Sequence, residues 1–462
     1  MEKIEVKEIL ESTGGRLISG DKHAYFTSIS TDTRTLKKGD LFIPLKGRNF
    51  DGHSFIPQAI QKGAKGIITC KKISGLNGEY VVIRVKDTLK ALQDIAAAYR
   101  RRFQIPVIAV TGSNGKTTTK EILWSILSEK YSTLKNKGNY NNEVGVPLTL
   151  FGLCSSHKAA VLEIASNAPG EIRRLTEIVQ PTIGVLTNIG LSHTEGLKDI
   201  HGVAREKFSL IRGLKKNATA VLNMDDQFMY EWAKKKHIKE RLRVVAYGIE
   251  RKGNVYATDV RLKERRSYFK LWIGNKSTEI CFNLPGLFNV YNALAAGAGA
   301  HAMGMSLDSI KNGLEKARGI EMRMEIKKIN DILLINDAYN SNPSSVKASI
   351  SFIQHLKARR KILVLGDMCE LGLLSVPAHR EISRDIINGG IDIFYALGKF
   401  TSITAKGAGS EGIPAFHFLD RARLIKKLLK EIKGGDLILI KGSRAMKMEE
   451  VVNAISSALS SS

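Results

Sequence analysis

The chain has 462 residues, 43% of them hydrophobic and 25% charged, an ordinary globular composition that allows about three domains at roughly 150 residues each. Lys and Arg number 71 against 45 Asp and Glu, so the net charge is 71 − 45 = +26, which fits a nucleic-acid binder or a basic surface that attracts small polyanions or simply solvates the protein. The four cysteines are far apart without a C-x-x-C pair, the N-terminus carries no apolar signal core, and no apolar run approaches the roughly 18 residues of a membrane span. These features speak against a disulfide framework, a zinc site and membrane insertion, and set the expectation of a soluble protein in the reducing cytoplasm.

Residues 1–100 read as a small α/β domain. Strands are predicted at Asp40-Leu-Phe-Ile-Pro-Leu45 and Gly66-Ile-Ile-Thr-Cys70, and helices over Ser54 to Lys62 and Thr88 to Tyr99. The break at Arg100 to Gln104 precedes Ile105-Pro-Val-Ile-Ala-Val-Thr-Gly-Ser-Asn-Gly-Lys-Thr-Thr-Thr119. That segment reads as a buried strand, a tight glycine turn and a helix opening at Lys116. Gly112, Ser113, Asn114 and Gly115 turn backbone amides toward one point, and the helix N-terminus adds its dipole. Lys116 supplies a charge for the β- and γ-phosphates, and the Thr117 hydroxyl, followed by Thr118, can hold Mg²⁺. The pattern predicts a P-loop that handles a nucleoside triphosphate.

Strands follow at Ala159 to Ile164 and Ile183 to Asn188, with Pro169 opening a helix between them. Strand, P-loop, helix, strand, helix, strand implies a mostly parallel, doubly wound sheet with its site at the strand carboxyl ends. Glu163 is a carboxylate inside an apolar run, where a metal or a salt bridge must compensate it. His193 follows the next strand, although imidazole is not a preferred ligand of Mg²⁺. Gly138-Asn-Tyr-Asn-Asn-Glu-Val-Gly-Val-Pro147 is a polar turn in which Asn139 and Asn142 are candidates for substrate hydrogen bonding. Tyr268 to Phe282 reads as an antiparallel addition, and Asn289 to Met303 as an alanine-rich helix. The central domain spans 101–318.

From residue 319 the pattern restarts, giving a Rossmann-like domain over 319–462. Its strands are predicted at Asp331 to Ile335, Lys361 to Leu365, Ile391 to Tyr395 and Asp436 to Ile440. Asp337-Ala-Tyr-Asn-Ser-Asn-Pro343 forms a polar loop before a helix. The Ser460 to Ser462 tail is expected to fray.

In order, a G-x-x-G-K-T loop, a strand Glu, Asn-x-Gly-x-x-His-x-Glu and a late Asn-rich helix start resemble the Mur ligases, ATP-dependent amide ligases of peptidoglycan precursor synthesis. The resemblance covers essentially the whole chain. Ser30-Thr-Asp-Thr-Arg34, Phe42-Ile-Pro-Leu-Lys-Gly47, Phe50-Asp-Gly-His53, Asp337 to Pro343 and Leu365-Gly-Asp-Met-Cys-Glu-Leu-Gly372 resemble the branch that joins D-alanyl-D-alanine to UDP-N-acetylmuramoyl-tripeptide. The sister branch that adds the third residue carries Asp-Asn-Pro-Arg in this domain, which is missing here.

The resemblance implies that Lys116 and Thr117 hold ATP phosphates, that Glu163 and His193 serve Mg²⁺ sites, and that Lys207 aligns with a lysine carbamylated in several members. Asn292 resembles an adenine contact, although Phe288 stands where many relatives have His. Arg323 and Asp337 resemble residues reaching the γ-phosphate and ribose. Thr31, Asp32, Arg34, Lys46 and Gly47 resemble the uridine-diphosphate site, and Tyr339, Asn340 and Asn342 fall in the expected D-alanyl-D-alanine region. Two other readings stay open at this point: a related ligase adding another amino acid, and a basic P-loop ATPase binding nucleic acid. A monomer without nucleic acid is the expected state.

Overall fold

Alternating apolar strands and one-sided helices build three large sheets and one two-stranded antiparallel pair, Ile4–Glu5 with Tyr25–Phe26, in the computed structural model, which describes residues 1–47, 50–73 and 79–460. The expected fraying of the last residues therefore falls largely outside the described chain.

The first sheet has five strands in the order Arg16–Ser19, Val81–Arg84, Gly66–Thr69, Leu41–Phe42 and Ile29–Ser30, antiparallel only at the first pair. The strand expected over Asp40 to Leu45 is cut to Leu41–Phe42. Pro44 has no amide to continue the ladder, and Leu45 turns instead to accept from the Gly52 amide. The helix expected over Ser54 to Lys62 is a 3₁₀ turn, Gly52–Phe55, capped by Asp51 and followed by Ile56–Gln61.

The central sheet has nine strands. Its parallel part runs Val255–Leu262, Arg243–Gly248, Thr219–Asn223, Ile183–Leu186, Val107–Thr111, Ala159–Glu163, Thr133–Lys135. Ser267–Ile273 and Lys276–Phe282 extend it as an antiparallel hairpin, as their alternation implies. The P-loop strand Val107–Thr111 lies inside this sheet and is buried throughout, because helices cover both faces. The helix placed at Pro169 begins instead at Glu171. The Glu206 carboxylate accepts from the Gly170 and Ile172 amides at 2.7 Å each, which fixes the first turn two residues later.

The third sheet has six strands, ordered Glu325–Ile329, Ile332–Asp337, Asp436–Lys441, Arg360–Gly366, Ile393–Leu397, Ala415–Phe418. Its first pair is antiparallel and the rest parallel. The helix Pro343–Gln354 starts as predicted, with Asn342 as its cap. No helix among the described residues is long and apolar enough to cross a membrane, and all four cysteines are free.

Candidate active site

The P-loop holds its shape through two glycines. Gly112 has φ +150° and a Cβ there would meet Thr187 Oγ1 at 2.0 Å; Gly115 has φ +77° and a Cβ would meet Asn292 Oδ1 at 2.1 Å. The loop is pinned to the end of the next strand: the Ser113 amide donates to the Asn188 carbonyl and the Asn114 amide to Asn188 Oδ1, both at 2.9 Å. The first intrahelical bond is Thr119 to the Gly115 carbonyl, so the amides of Lys116, Thr117 and Thr118 have no acceptor one turn back. Lys116 Nζ folds over the loop and donates to the Gly112 and Ser113 carbonyls at 2.9 and 3.0 Å. Desolvation lowers its pKa, Glu163 nearby opposes that, and Arg323 adds to it. Asn292 is buried with its Oδ1 against Thr119 and its Nδ2 donating to Asn289, so it supports the floor of the loop.

Glu163 ends its strand 1% exposed. Asn136 clamps its backbone by donating to the Glu163 carbonyl and accepting from its amide. Asn141 Nδ2 donates to Oε1 at 2.7 Å, while Oε2 is buried with no partner. A buried carboxylate oxygen without a donor is costly, and a cation is what it lacks. Lys207 stands on the helix Ile200–Arg212, 1% exposed, its Nζ 3.2 Å from Ser166 Oγ. Burial, reinforced by Lys116 and opposed by Glu206, Glu171 and Glu163, brings its amine down to about 7.

The third domain closes over this floor. Arg323 Nη2 donates to Thr117 Oγ1 at 3.0 Å, its guanidinium lies 4.0 Å from the Tyr339 ring centre, and its Nε is buried without a partner. Asn114 Nδ2 donates to Ser344 Oγ, and Asn342 Nδ2 donates to Asn114 Oδ1, both at 2.8 Å. His193, in the left-handed region at φ 52°, pairs through Nδ1 with Glu370 Oε2 at 2.6 Å and so holds that carboxyl below its usual range. The Glu195 amide and Thr194 hydroxyl donate to the Glu370 and Leu371 carbonyls. The result is a cavity of about 860 Å³ lined by the P-loop, Glu163, His193, Arg323 and the Asn340 to Asn342 loop.

Not every candidate lies in that cavity as anticipated. Asp337 reaches it, but its Oδ2 is taken by Lys441 Nζ at 2.5 Å and Ser349 at 2.8 Å, and its Oδ1 by the Met324 amide. Asn139 and Asn142 are exposed at the rim, and Asn142 Oδ1 accepts from the Val144 and Gly145 amides. Its neighbour Asn141 touches Glu163, a choice among three asparagines that spacing alone does not make. Glu370 and Lys441 were also missed: Glu370 sits in the loop after the strand Arg360–Gly366 and Lys441 ends the strand Asp436–Lys441, and the partner of each lies far along the chain. Thr31, Asp32, Arg34, Lys46 and Gly47 are on the first domain outside this cavity, with Asp32 paired to Arg34 at 2.6 Å and the Gly47 amide donating to the Phe50 carbonyl. Among the described residues, no three His, Cys, Asp or Glu side chains gather as a ready metal cluster.

Residues 25–100 match the Mur ligase family catalytic domain, 110–300 the Mur ligase middle domain and 322–444 the Mur ligase glutamate ligase domain. A Bacillus subtilis UDP-N-acetylmuramoyl-tripeptide–D-alanyl-D-alanine ligase is 36% identical over 459 residues, covering 98% of both chains. The chain belongs to the Mur ligase family. The Escherichia coli protein of the same name is 33% identical, covering 98% of this chain and 99% of that one. A crystal structure of MurF from Acinetobacter baumannii superposes with a TM-score of 0.92 at 32% identity and 99% coverage of both. The MurF ligase from Thermotoga maritima in complex with ADP gives 0.83 at 26% identity, covering 94% of this chain and 98% of that one.

Proposed function

We propose that this chain is the ATP-dependent, ADP-forming ligase that joins D-alanyl-D-alanine to UDP-N-acetylmuramoyl-tripeptide. The observation that carries it is the single cavity in which the P-loop, an incompletely bonded buried Glu163 and the Arg323–Tyr339 side of the third domain meet. The full-length relatives of that name support the same substrates. The nucleic-acid reading has no comparable support.

The γ-phosphoryl group of ATP passes to the terminal carboxylate of the tripeptide, releasing ADP and forming an acyl phosphate. The D-alanyl-D-alanine amine then attacks that carbonyl, phosphate leaves, and the nitrogen loses a proton as the amide forms. Phosphoryl transfer depends mainly on positioning and charge neutralisation. Lys116, the amides of Lys116 to Thr118 and Arg323 face the phosphates; Tyr339, Asn340 and Asn342 line the side from which the dipeptide enters. Closure of the third domain keeps water from the acyl phosphate.

The donor set fits a hard divalent cation. Glu163 Oε2 lacks a partner and Thr117 offers a hydroxyl, so these two would hold Mg²⁺, with His193 able to contribute only through Nε2 because Nδ1 is bound to Glu370. Bound there, Mg²⁺ would offset phosphate charge. A neutral Lys207 nitrogen can add CO₂ and lose a proton, and the carbamate oxygen would complete an oxygen ligand set. Thr31, Asp32, Arg34, Lys46 and Gly47 form the uridine-diphosphate subsite in this reading, and Asn292 and Asp337 act by shaping the nucleotide pocket.

Phosphate release, measured with and without each substrate, tests the proposal. It should require ATP, UDP-N-acetylmuramoyl-tripeptide and D-alanyl-D-alanine together. Turnover that continues without the dipeptide, or answers only to DNA or RNA, would overturn it.

A further inference from the structure

The proposed reaction does not use a cluster of nucleophilic and titratable side chains on the first domain. Cys70 is exposed and follows the strand Gly66–Thr69. Its Sγ lies 3.3 Å from His53 Nε2, and its amide donates to the same nitrogen at 3.4 Å. On the other side of the ring, His53 Nδ1 lies 2.7 Å from Asp51 Oδ1, and Asp51 Oδ2 is bound by Lys71 Nζ at 2.7 Å. His53 itself is buried, with 9% exposure.

These contacts fix the tautomer. The Asp51 carboxylate can only accept, because Lys71 and His53 hold its pKa well below the usual range, so Nδ1 carries the hydrogen. The Cys70 amide can only donate, so Nε2 is the bare nitrogen. That nitrogen therefore accepts the thiol proton, and the buried carboxylate-anchored ring is oriented to take it. Lys71 adds positive charge beside the sulfur.

Cys154 supplies an internal comparison. Its Sγ lies 3.1 Å from His157 Nδ1, its amide donates to that nitrogen at 3.2 Å, and Ser156 pulls the thiol pKa down. Among the described residues no carboxylate bonds His157, and Cys154 is only partly exposed.

We propose that Cys70 is a base-activated nucleophile and the preferred modification site of this chain, taking small soft electrophiles and low-molecular-weight disulfides. With a disulfide such as oxidised glutathione, the thiol proton passes to His53 Nε2 and the sulfur attacks one sulfur of the disulfide. The old S–S bond breaks as the mixed disulfide forms, and the departing thiolate takes the proton back from His53. The oxidant is the disulfide itself. Cys70 shares its neighbourhood with the proposed uridine-diphosphate loop, since Asp51 pairs with Lys46 in an isolated antiparallel bridge.

Site-resolved mass spectrometry of the intact folded protein under limiting iodoacetamide at neutral pH tests this. Cys70 should alkylate about tenfold faster than Cys154, Cys281 and Cys369, because among the four its exposed sulfur is the one that faces an imidazole anchored by a carboxylate. His53→Gln should slow Cys70 by about tenfold and leave the other three rates unchanged, which also shows that the variant is folded. Asp51→Asn provides a second variant and should slow the same site. Equal rates at Cys70 and Cys154, or a Cys70 rate indifferent to both substitutions, would overturn the proposal. Adding UDP-N-acetylmuramoyl-tripeptide, but not ATP, should protect Cys70; a fast Cys70 without that protection would count against the uridine-site assignment and leave the thiol assignment standing.

Discussion

The central domain meets its two neighbours in different ways. Toward the first domain the boundary is apolar: one buried cluster runs from Ile4, Ile9, Ile83 and Leu92 through Tyr99 and Phe103 into Val107, Leu150 and Leu162. Tyr99 donates to the Leu153 carbonyl at 2.7 Å and accepts from the Glu2 amide, and its ring packs 5.2 Å and 5.8 Å from Phe103 and Phe151. Toward the third domain the boundary is largely hydrogen bonds: Asn114 to Ser344 and Asn342, Arg323 to Thr117, His193 to Glu370, with Phe288 edge-on to Phe352 as an aromatic contact. Close-packed apolar surface resists separation, whereas each such hydrogen bond contributes only about 1 kcal/mol net because water can replace it. The first junction therefore fixes the first domain relative to the P-loop, and the second is the boundary that costs less to separate.

The largest effect should come where the polar boundary meets the phosphates. Lys116→Ala removes one preorganised charge and should lower turnover about 10²-fold or more with the thermal midpoint little changed. A folded variant with near wild-type turnover would remove the ATP site from this cavity.

Lys207→Ala should also lose most activity, and a short carboxylic acid in solution should restore part of it. Depleting CO₂ from the native enzyme should reduce activity and bicarbonate should return it. The sign of the pH effect on stability follows from the lowered amine. With the folded pKa at about 7 and the ordinary value at 10.5, the unfolded chain binds more protons between them. The penalty for burying this amine is fully present below about 7 and fades as pH rises toward 10.5. Denaturant titrations of CO₂-depleted wild type against Lys207→Met should therefore converge upward through that window; a constant gap under CO₂ depletion would contradict a buried neutral amine.

The sequence made the sheets, the P-loop and Glu163 legible because each depends on neighbouring residues: an apolar strand, a glycine turn, a helix start. What it did not yield depends on contacts between distant segments. Asn141 rather than Asn139 or Asn142 faces Glu163 because Asn142 is committed to two local amides. Asp337 is tied up by Lys441, 104 residues away, and His193 by Glu370, 177 residues away. The helix start displaced from Pro169 to Glu171 has the same origin, a carboxylate supplied from residue 206.

Asn114→Ala cuts two bonds across the polar boundary and should reduce turnover about tenfold, with the melting temperature unchanged. Tyr99→Phe is the complementary change and the smallest in activity. It removes a buried hydroxyl from the apolar junction, so stability should fall by about 1–2 kcal/mol while turnover and both Michaelis constants stay put. If Tyr99→Phe slowed catalysis and Asn114→Ala destabilised the fold, the two boundaries would have been assigned the wrong way round.

The most direct test of the whole account follows oxygen through the reaction. With heavy oxygen placed in the terminal carboxylate of UDP-N-acetylmuramoyl-tripeptide, closure of the polar boundary over an acyl phosphate predicts that the released phosphate carries one labelled oxygen from that carboxylate. Phosphate free of label, formed at the same rate as the amide bond, would show that the carboxylate is never phosphorylated and would contradict the central claim.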